Sequence, residues 1–219
     1  TFDIAGAAAR DWEDIASVRM GNRDLLMIAD TGNNLNVPMP GRIYIVAEPK
    51  LNTNKRKVRS KLKCIQCIRF RLEDGWFDSE SMGVDATRKR IYFVTKPRKK
   101  GQQSTVYELS KPAQPSKKVL VAKRLTVLKG VNTATAMDIS PDGLRAVVLT
   151  YGNAYEYVRR KSETWAVGFA RPPRVIVMPR RSQGESICYG ADGKTLYLTS
   201  ENLPTPLWQV GAGAAAKRP

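Results

Sequence analysis

One pattern occurs four times along this chain, and it leaves few folds open. Each copy runs from a polar residue through an apolar strand, a turn and a second apolar strand to a closing polar residue. The copies are Glu13-Asp14-Ile15 leading to Leu26-Met27-Ile28-Ala29-Asp30, Glu80-Ser81-Met82 leading to Ile91-Tyr92-Phe93-Val94-Thr95-Lys96, Thr135-Ala136-Met137 leading to Ala146-Val147-Val148-Leu149-Thr150-Tyr151, and Glu185-Ser186-Ile187 leading to Leu196-Tyr197-Leu198-Thr199-Ser200-Glu201. The opening and closing residues are 17, 16, 16 and 16 positions apart, and the starts recur after 67, 55 and 50 residues. A period of that size reads as repeated sheet units such as propeller blades.

A third strand follows each pair: Ile43-Tyr44-Ile45-Val46-Ala47, Val106-Tyr107-Glu108-Leu109-Ser110 and the shorter Leu207-Trp208-Gln209-Val210. In the third unit Ala154-Tyr155-Glu156-Tyr157-Val158 and Thr164-Trp165-Ala166-Val167-Gly168-Phe169 compete for that place. Fourth strands fit at 62–72, 119–128 and 174–178, and four strands per unit is the propeller blade. The reading is an all-β chain, a single β-propeller domain over 1–210 with blades near 11–72, 78–128, 133–178 and 183–210 and a frayed tail at 211–219. The last blade lacks a fourth strand, and Phe2-Ile4 with their neighbours at 2–5 would complete it. The alternative is a five-bladed propeller lacking its first blade, with 2–5 as that blade's outer strand. Asp142-Gly143 and Asp192-Gly193 mark the hairpin turns of units three and four, with Gly21-Asn22 and Thr87-Arg88 in the equivalent places.

The composition narrows the chemistry. The chain has no histidine, so a Ser-His-Asp triad, a Cys-His dyad and a His-metal site are excluded within it. Three cysteines, Cys64, Cys67 and Cys188, make no full disulfide framework. Cys64 and Cys67 have redox-motif spacing but fall on a strand, where positions three apart point to opposite faces. Zinc lacks a second Cys pair, so buried thiols are the expectation. No stretch of 18 apolar residues exists. A first residue Thr1 in place of Met leads to the expectation of a processed chain, secreted or exported, with an organelle lumen as the alternative.

Lys and Arg number 37 against 20 Asp and Glu, a net charge of +17 that draws polyanions. Seven basic residues fall in 50–63, including Lys55, Arg56, Lys57, Arg59, Lys61 and Lys63, and Arg98, Lys99 and Lys100 form a second run. They read as a solvated rim or as a surface for an anionic partner: a polysaccharide, a phosphate-bearing ligand or an acidic protein. No sequence pattern of a nucleic-acid module accompanies the charge, so sequence-specific binding of nucleic acid is not expected.

Against that background the acidic residues of the repeat stand out. The first two strands of a unit are antiparallel, so the start of one lies beside the end of the next. Four pairs would therefore converge on one mouth: Glu13 with Asp30, Glu80 with Lys96, Thr135 with Tyr151, and Glu185 with Glu201. Asp11 and Asp78, two residues before their glutamates, point the same way. Clustered carboxylates raise one another's pKa unless a cation or hydrogen-bond donors compensate. A metal set of Asp11, Glu13, Asp30, Asp78, Glu80, Glu185 and Glu201 offers hard oxygen ligands that suit Ca²⁺, and Lys96 offers an internal counter-ion instead.

Asp11-Trp12-Glu13-Asp14-Ile15-Ala16 with Ala29-Asp30-Thr31-Gly32-Asn33-Asn34, then Asp78-Ser79-Glu80-Ser81-Met82, Ile139-Ser140-Pro141-Asp142-Gly143 with Thr150-Tyr151, and Gln183-Gly184-Glu185-Ser186-Ile187, resemble a group of secreted bacterial propeller proteins of largely unknown function. More distantly they resemble phytase-like esterase propellers and related calcium-binding ones. The resemblance implies a propeller over nearly the whole chain and, through the distant relatives, a calcium site. Members of the closer group usually carry a further blade ahead of the Asp-Trp-Glu-Asp element, and Gln183-Gly184 departs from the Asp-x that precedes the other glutamates.

Three functions follow as expectations. The first is a non-catalytic binding or scaffold propeller with an acidic mouth for a cation or small ligand and a basic rim for an anionic partner. The second is a calcium-dependent phosphoester or ester hydrolase. The third is a structural subunit of a larger assembly. The first is preferred, because Thr135 and Tyr151 give one quarter of the mouth no carboxylate.

Overall fold

A computed structural model of the chain describes residues 1–52, 54, 55, 57–99 and 101–211. After β1 (Phe2–Ala5) come four antiparallel sheets in which consecutive strands are neighbours. The first holds β2 (Trp12–Met20), β3 (Arg23–Asp30), β4 (Gly41–Ala47) and β5 (Ser60–Leu72). The second holds β6 (Ser79–Asp85), β7 (Arg90–Thr95), β8 (Thr105–Ser110) and β9 (Val119–Val127). The third holds β10 (Ala134–Ile139), β11 (Arg145–Thr150) and β12 (Ala154–Val158), then a short helix α1 (Trp165–Ala170) and β13 (Arg174–Ile176). The fourth holds β14 (Gly184–Tyr189), β15 (Leu196–Ser200) and β16 (Trp208–Val210). These are propeller blades: β2, β6, β10 and β14 stand side by side as the inner strands.

The core lies in layers between successive blades, as it must when each sheet is apolar on both faces. Met27, Ile43, Ile45, Phe70, Met82 and Phe93 fill the first layer. Tyr92, Val94, Met137, Val148, Trp165 and Phe169 fill the second, and Val147, Leu149, Ile176, Ile187, Leu196 and Leu198 fill the third. The hairpin turns sit as the sequence places them, with Gly143 at φ +69° and Gly193 at φ +63° beside their aspartates. Asp142 Oδ1 accepts from the Leu144 amide and Asp192 Oδ1 from the Lys194 amide, which fixes each turn.

One open choice is resolved and one local expectation is corrected. Between the two segments competing in blade three, Ala154–Val158 is the strand and 165–170 is helical, because Trp165, Gly168 and Phe169 bury one face at helical spacing. The segment 2–5 does not complete the last blade. β1 runs parallel to the start of β5, with Phe2 opposite Ser60 and Ala5 opposite Lys63, and the Thr1 ammonium donates to the Val58 carbonyl at 2.7 Å. Ile4 and Leu62 thereby cover an apolar patch of Ile28, Tyr44 and Val46 on the outer face of blade one. The same parallel arrangement recurs where the end of β5 meets the start of β9, Arg69 opposite Val119. No helix among the described residues is long and apolar enough to cross a membrane.

Candidate functional site

The four opening residues of the repeat share one backbone feature. In every blade the pairing of the inner strand with its neighbour skips one residue: between Trp12 and Asp14, Ser79 and Ser81, Ala134 and Ala136, and Gly184 and Ser186. The skipped residues are Glu13, Glu80, Thr135 and Glu185. Each is the extra residue of a β-bulge, a device that takes a side chain out of the ladder and re-aims it. Three of the four aim into the mouth.

Ligand oxygens of Glu13, Asp78 and Glu80 all lie within 4.8 Å of one another. Asp78 is buried; its Oδ1 accepts from the Asn33 amide at 2.8 Å, and its own amide donates to Asn36 Oδ1 at 3.1 Å. Asp11 takes a hydrogen bond from Asn34 Nδ2 at 3.3 Å. Gly32 closes this side: a Cβ there would stand 2.3 Å from both the Asp11 and the Glu13 carboxylates, so a side chain at this position would push those carboxylates out of their present places.

Lys96 divides the mouth. Its Nζ donates to Glu80 Oε2 at 2.5 Å and to the Tyr151 hydroxyl at 2.6 Å, and it lies 4.7 Å from the Tyr151 ring centre. Burial pulls the Lys96 ammonium down, but the hydrogen bonds and charge of Glu80 and Tyr151 outweigh it and hold it above the usual lysine range. Beyond Tyr151 lies Glu185, which that hydroxyl helps to hold, with exposed Glu201 close enough to repel it. Beside the mouth opens a cleft of about 610 Å³ lined by Asn36, Asp78, Lys96, Arg98, Lys99 and Arg124, among others. Arg98 of this lining donates to Asn34 Oδ1.

Burial first, then Glu80, Asp11 and Asp78, push the Glu13 carboxyl up to about 8, with Lys96 pulling the other way. Burial first, then Glu80, push Glu185 up to about 7. Burial likewise raises Glu80, against its bond to Lys96, and takes Asp138 of β10 to about 7. A carboxyl whose folded pKa exceeds its unfolded value adds stability that is complete below the unfolded value and disappears as pH rises through the folded one. The melting temperature is therefore expected to fall between pH 5 and pH 9. In the double variant Glu13→Gln, Glu185→Gln the decline should shrink to the part that Glu80, Asp14 and Asp138 carry, as thermal melts across that pH range will measure.

Two residues placed in the mouth by the sequence are elsewhere. Asp30 is fully buried and closed off: its Oδ1 accepts from the amides of Arg10 (3.0 Å) and Asp11 (2.9 Å), and its Oδ2 from Arg10 Nε at 3.3 Å. The cause is the longer hairpin of blade one, in which 18 positions separate the paired Trp12 and Asp30 against 16 in each of the other blades. Asp30 pairs with Trp12, while the corresponding Ser79, Ala134 and Gly184 pair with Thr95, Thr150 and Ser200. Lys96, Tyr151 and Glu201 thus stand one residue beyond the place of Asp30, and blade one has Thr31 there. One step along a strand reverses the side a residue faces. Thr135 turns into the joint with the next blade, donating to the Gly184 carbonyl at 2.6 Å, as Thr31 donates to the Ser79 carbonyl at 2.7 Å.

The sequence reading missed Asp14 and Asp138. Asp14 Oδ2 accepts from the amides of Met82 (2.8 Å) and Met137 (3.1 Å), and its Oδ1 from Ile15 (2.8 Å), joining three inner strands. Asp138 Oδ2 accepts from Tyr189 at 2.8 Å and reaches the fourth. Burial drives Asp14 well above the carboxylate range. Only the adjacency of Asp14 to Glu13 signalled it, because its counterparts Ser81, Ala136 and Ser186 are not acidic.

The basic runs separate to the two ends of the blades. Arg98 and Lys99 follow β7 at the mouth, whereas exposed Lys55, Lys57, Arg59, Lys61 and Lys63 lie where β4 turns into β5, at the opposite end. Arg56, Lys100 and the tail 212–219 lie outside the described residues.

No family model matches the chain and no curated protein is similar to it in sequence. The resemblance to secreted and phytase-like propellers therefore has no family match behind it. Among solved structures the chain is similar to Kuenenia stuttgartiensis hydrazine synthase, at 13% identity and a TM-score of 0.49 over 94% of this chain and 49% of that one. It is also similar to a candidate 6-phosphogluconolactonase of Bacteroides uniformis, at 12% identity and a TM-score of 0.44 over 90% and 52%. TolB of Acinetobacter baumannii follows at 13% identity and 0.42 over 91% and 41%. The chain spans about half the length, or less, of these structures.

Proposed function

We infer that the chain is a binding propeller whose mouth takes an oxygen-loving divalent cation, Ca²⁺ foremost, and that it works without catalysing hydrolysis. The observation that carries this reading is the convergence of Glu13, Asp78 and Glu80 oxygens within 4.8 Å, supplied by adjacent blades and set by two bulges. Ca–O distances of about 2.3–2.6 Å place two oxygens of one coordination sphere up to about 5 Å apart, so these three can share an ion with little movement. A cation would also offset the burial and the neighbouring negative charges that raise the Glu13 carboxyl. Against a hydrolase stand Lys96 and Tyr151, which are engaged with each other and with Glu80 and Glu185. The exposed basic segment at the far end is suited to an anionic partner, and its separation from the mouth makes that a distinct contact.

Calcium titration followed by thermal melting tests the reading. Ca²⁺ must displace the Glu13 proton, so the rise in melting temperature should be larger at pH 8.5 than at pH 6. It should vanish in Glu80→Gln and persist in Glu201→Gln. A melting temperature unmoved by millimolar Ca²⁺ at pH 8.5 would reject the site.

A further inference from the structure

Cys64 and Cys67 lie on β5, where simple alternation would send them to opposite faces. The register with β4 places them together: Val46 faces Cys64, Ile45 faces Gln66 and Tyr44 faces Cys67, so Ile65 is the extra residue of a bulge. Cross-strand partners share a face. Tyr44 and Val46 stand two apart on β4, on one side, and the two thiols follow them there. Both thiols pack against the patch of Ile28, Tyr44 and Val46, together with Ile4, Ala7, Leu26 and Leu62. Both are free and half-buried, whereas Cys188 is free and exposed on β14. Burial first and then Cys64 raise the Cys67 thiol, while Arg42 and Arg69 act in the opposite sense. Those two arginines are cross-strand partners one step further along the same face.

Neighbours on one face of a strand are spaced by two residue rises, about 6.5 Å. A disulfide needs Cβ atoms about 3.5–4.5 Å apart, so direct oxidation would require the backbone to move. Two thiolates about 2.3 Å from one metal ion need only bring their sulfurs to within about 4.6 Å, which side-chain rotation can supply. Thiolates without imidazole or carboxylate select soft ions. The geometry points to Cys64 and Cys67 as a two-thiolate site for a soft monovalent cation of the Cu(I) type, lying on the outer face of blade one away from the acidic mouth. The bis-thiolate complex carries one net negative charge, and Arg42 and Arg69 stand on the side that would offset it. The apolar patch beside it limits access of water and of competing hard ions.

The test uses the full chain, kept reduced and anaerobic, titrated with Cu(I) in the presence of the chelator bathocuproine disulfonate. The protein should withhold one ion per chain from the chelator and show sulfur-to-copper charge transfer in the ultraviolet. Both signals should be lost in Cys64→Ser and in Cys67→Ser and kept in Cys188→Ser. Phenylarsine oxide, which bridges neighbouring thiols, should block uptake by the unaltered protein, so the answer does not rest on whether the variants fold. No retention by the unaltered chain, retention in either single variant, loss in Cys188→Ser, or uptake that phenylarsine oxide leaves untouched would each overturn the site.

Discussion

Asp85→Ala should destabilise the protein by about 3–5 kcal/mol in urea unfolding at neutral pH, because it strips a buried guanidinium of its counter-charge. Asp85 ends β6, and its carboxylate is fully buried. Oδ2 accepts from Arg159 Nη2 at 3.1 Å and from the Trp165 indole at 3.2 Å, while Oδ1 accepts from the Thr87 hydroxyl at 2.6 Å and the Arg88 amide at 3.1 Å. Arg159 is only 3% exposed, and its Nη1 also donates to the carbonyls of Arg160 and Glu163. One carboxylate thus ties the hairpin of blade two to the helix of blade three, at the end opposite the mouth. Removing both members of a buried pair costs much less than removing one. Arg159→Met in the Asp85→Ala background should therefore recover part of the loss. A cost below about 1 kcal/mol for Asp85→Ala would show that the pair is not a keystone.

Asp14→Ala should cost about 2–4 kcal/mol, since it leaves the Met82 and Met137 amides without an acceptor at the joint of three inner strands, at about 1–3 kcal/mol for each stranded donor. The signature is local as well as global. Amide exchange at Met82 and Met137 should accelerate more than at core amides of β11, which Asp14 does not touch. Equal acceleration everywhere would mean that the carboxylate stabilises the fold only in a general way.

Much of this architecture was legible in the chain because strand period, hairpin turns and the spacing of units all follow from local chemistry. The four sheets, the third strands and the turns at Gly143 and Gly193 stand where the pattern puts them. Two of the failures depend on a one-residue offset that hydrophobic alternation does not encode. Asp30 is a mouth residue in the sequence repeat and a buried loop anchor in the structure, because the longer hairpin of blade one sets it opposite Trp12, at the place of Thr95, Thr150 and Ser200 and not of Lys96, Tyr151 and Glu201. Cys64 and Cys67 read as opposed and lie together, because Ile65 is looped out of the ladder. The segment of α1 alternates well enough to pass for a strand, and only the packing of Trp165 against Arg159 and of Phe169 against Tyr92 and Tyr157 decides for a helix. β1 could be assigned to either edge on pattern alone; the apolar patch it covers is assembled from β3, β4 and β5 and has no signature in any one of them.

The four bulges separate two jobs that a strand residue usually performs at once. A residue inside a regular ladder must satisfy its neighbours in pairing and packing, so exchanging it disturbs the sheet. Glu13, Glu80, Thr135 and Glu185 have been released from that obligation. Their variety shows the result: three acids and a hydroxyl sit at one geometric place with the pairing on either side unchanged. The opening of this propeller is a socket whose side chains can be exchanged one blade at a time while the scaffold beneath keeps its shape.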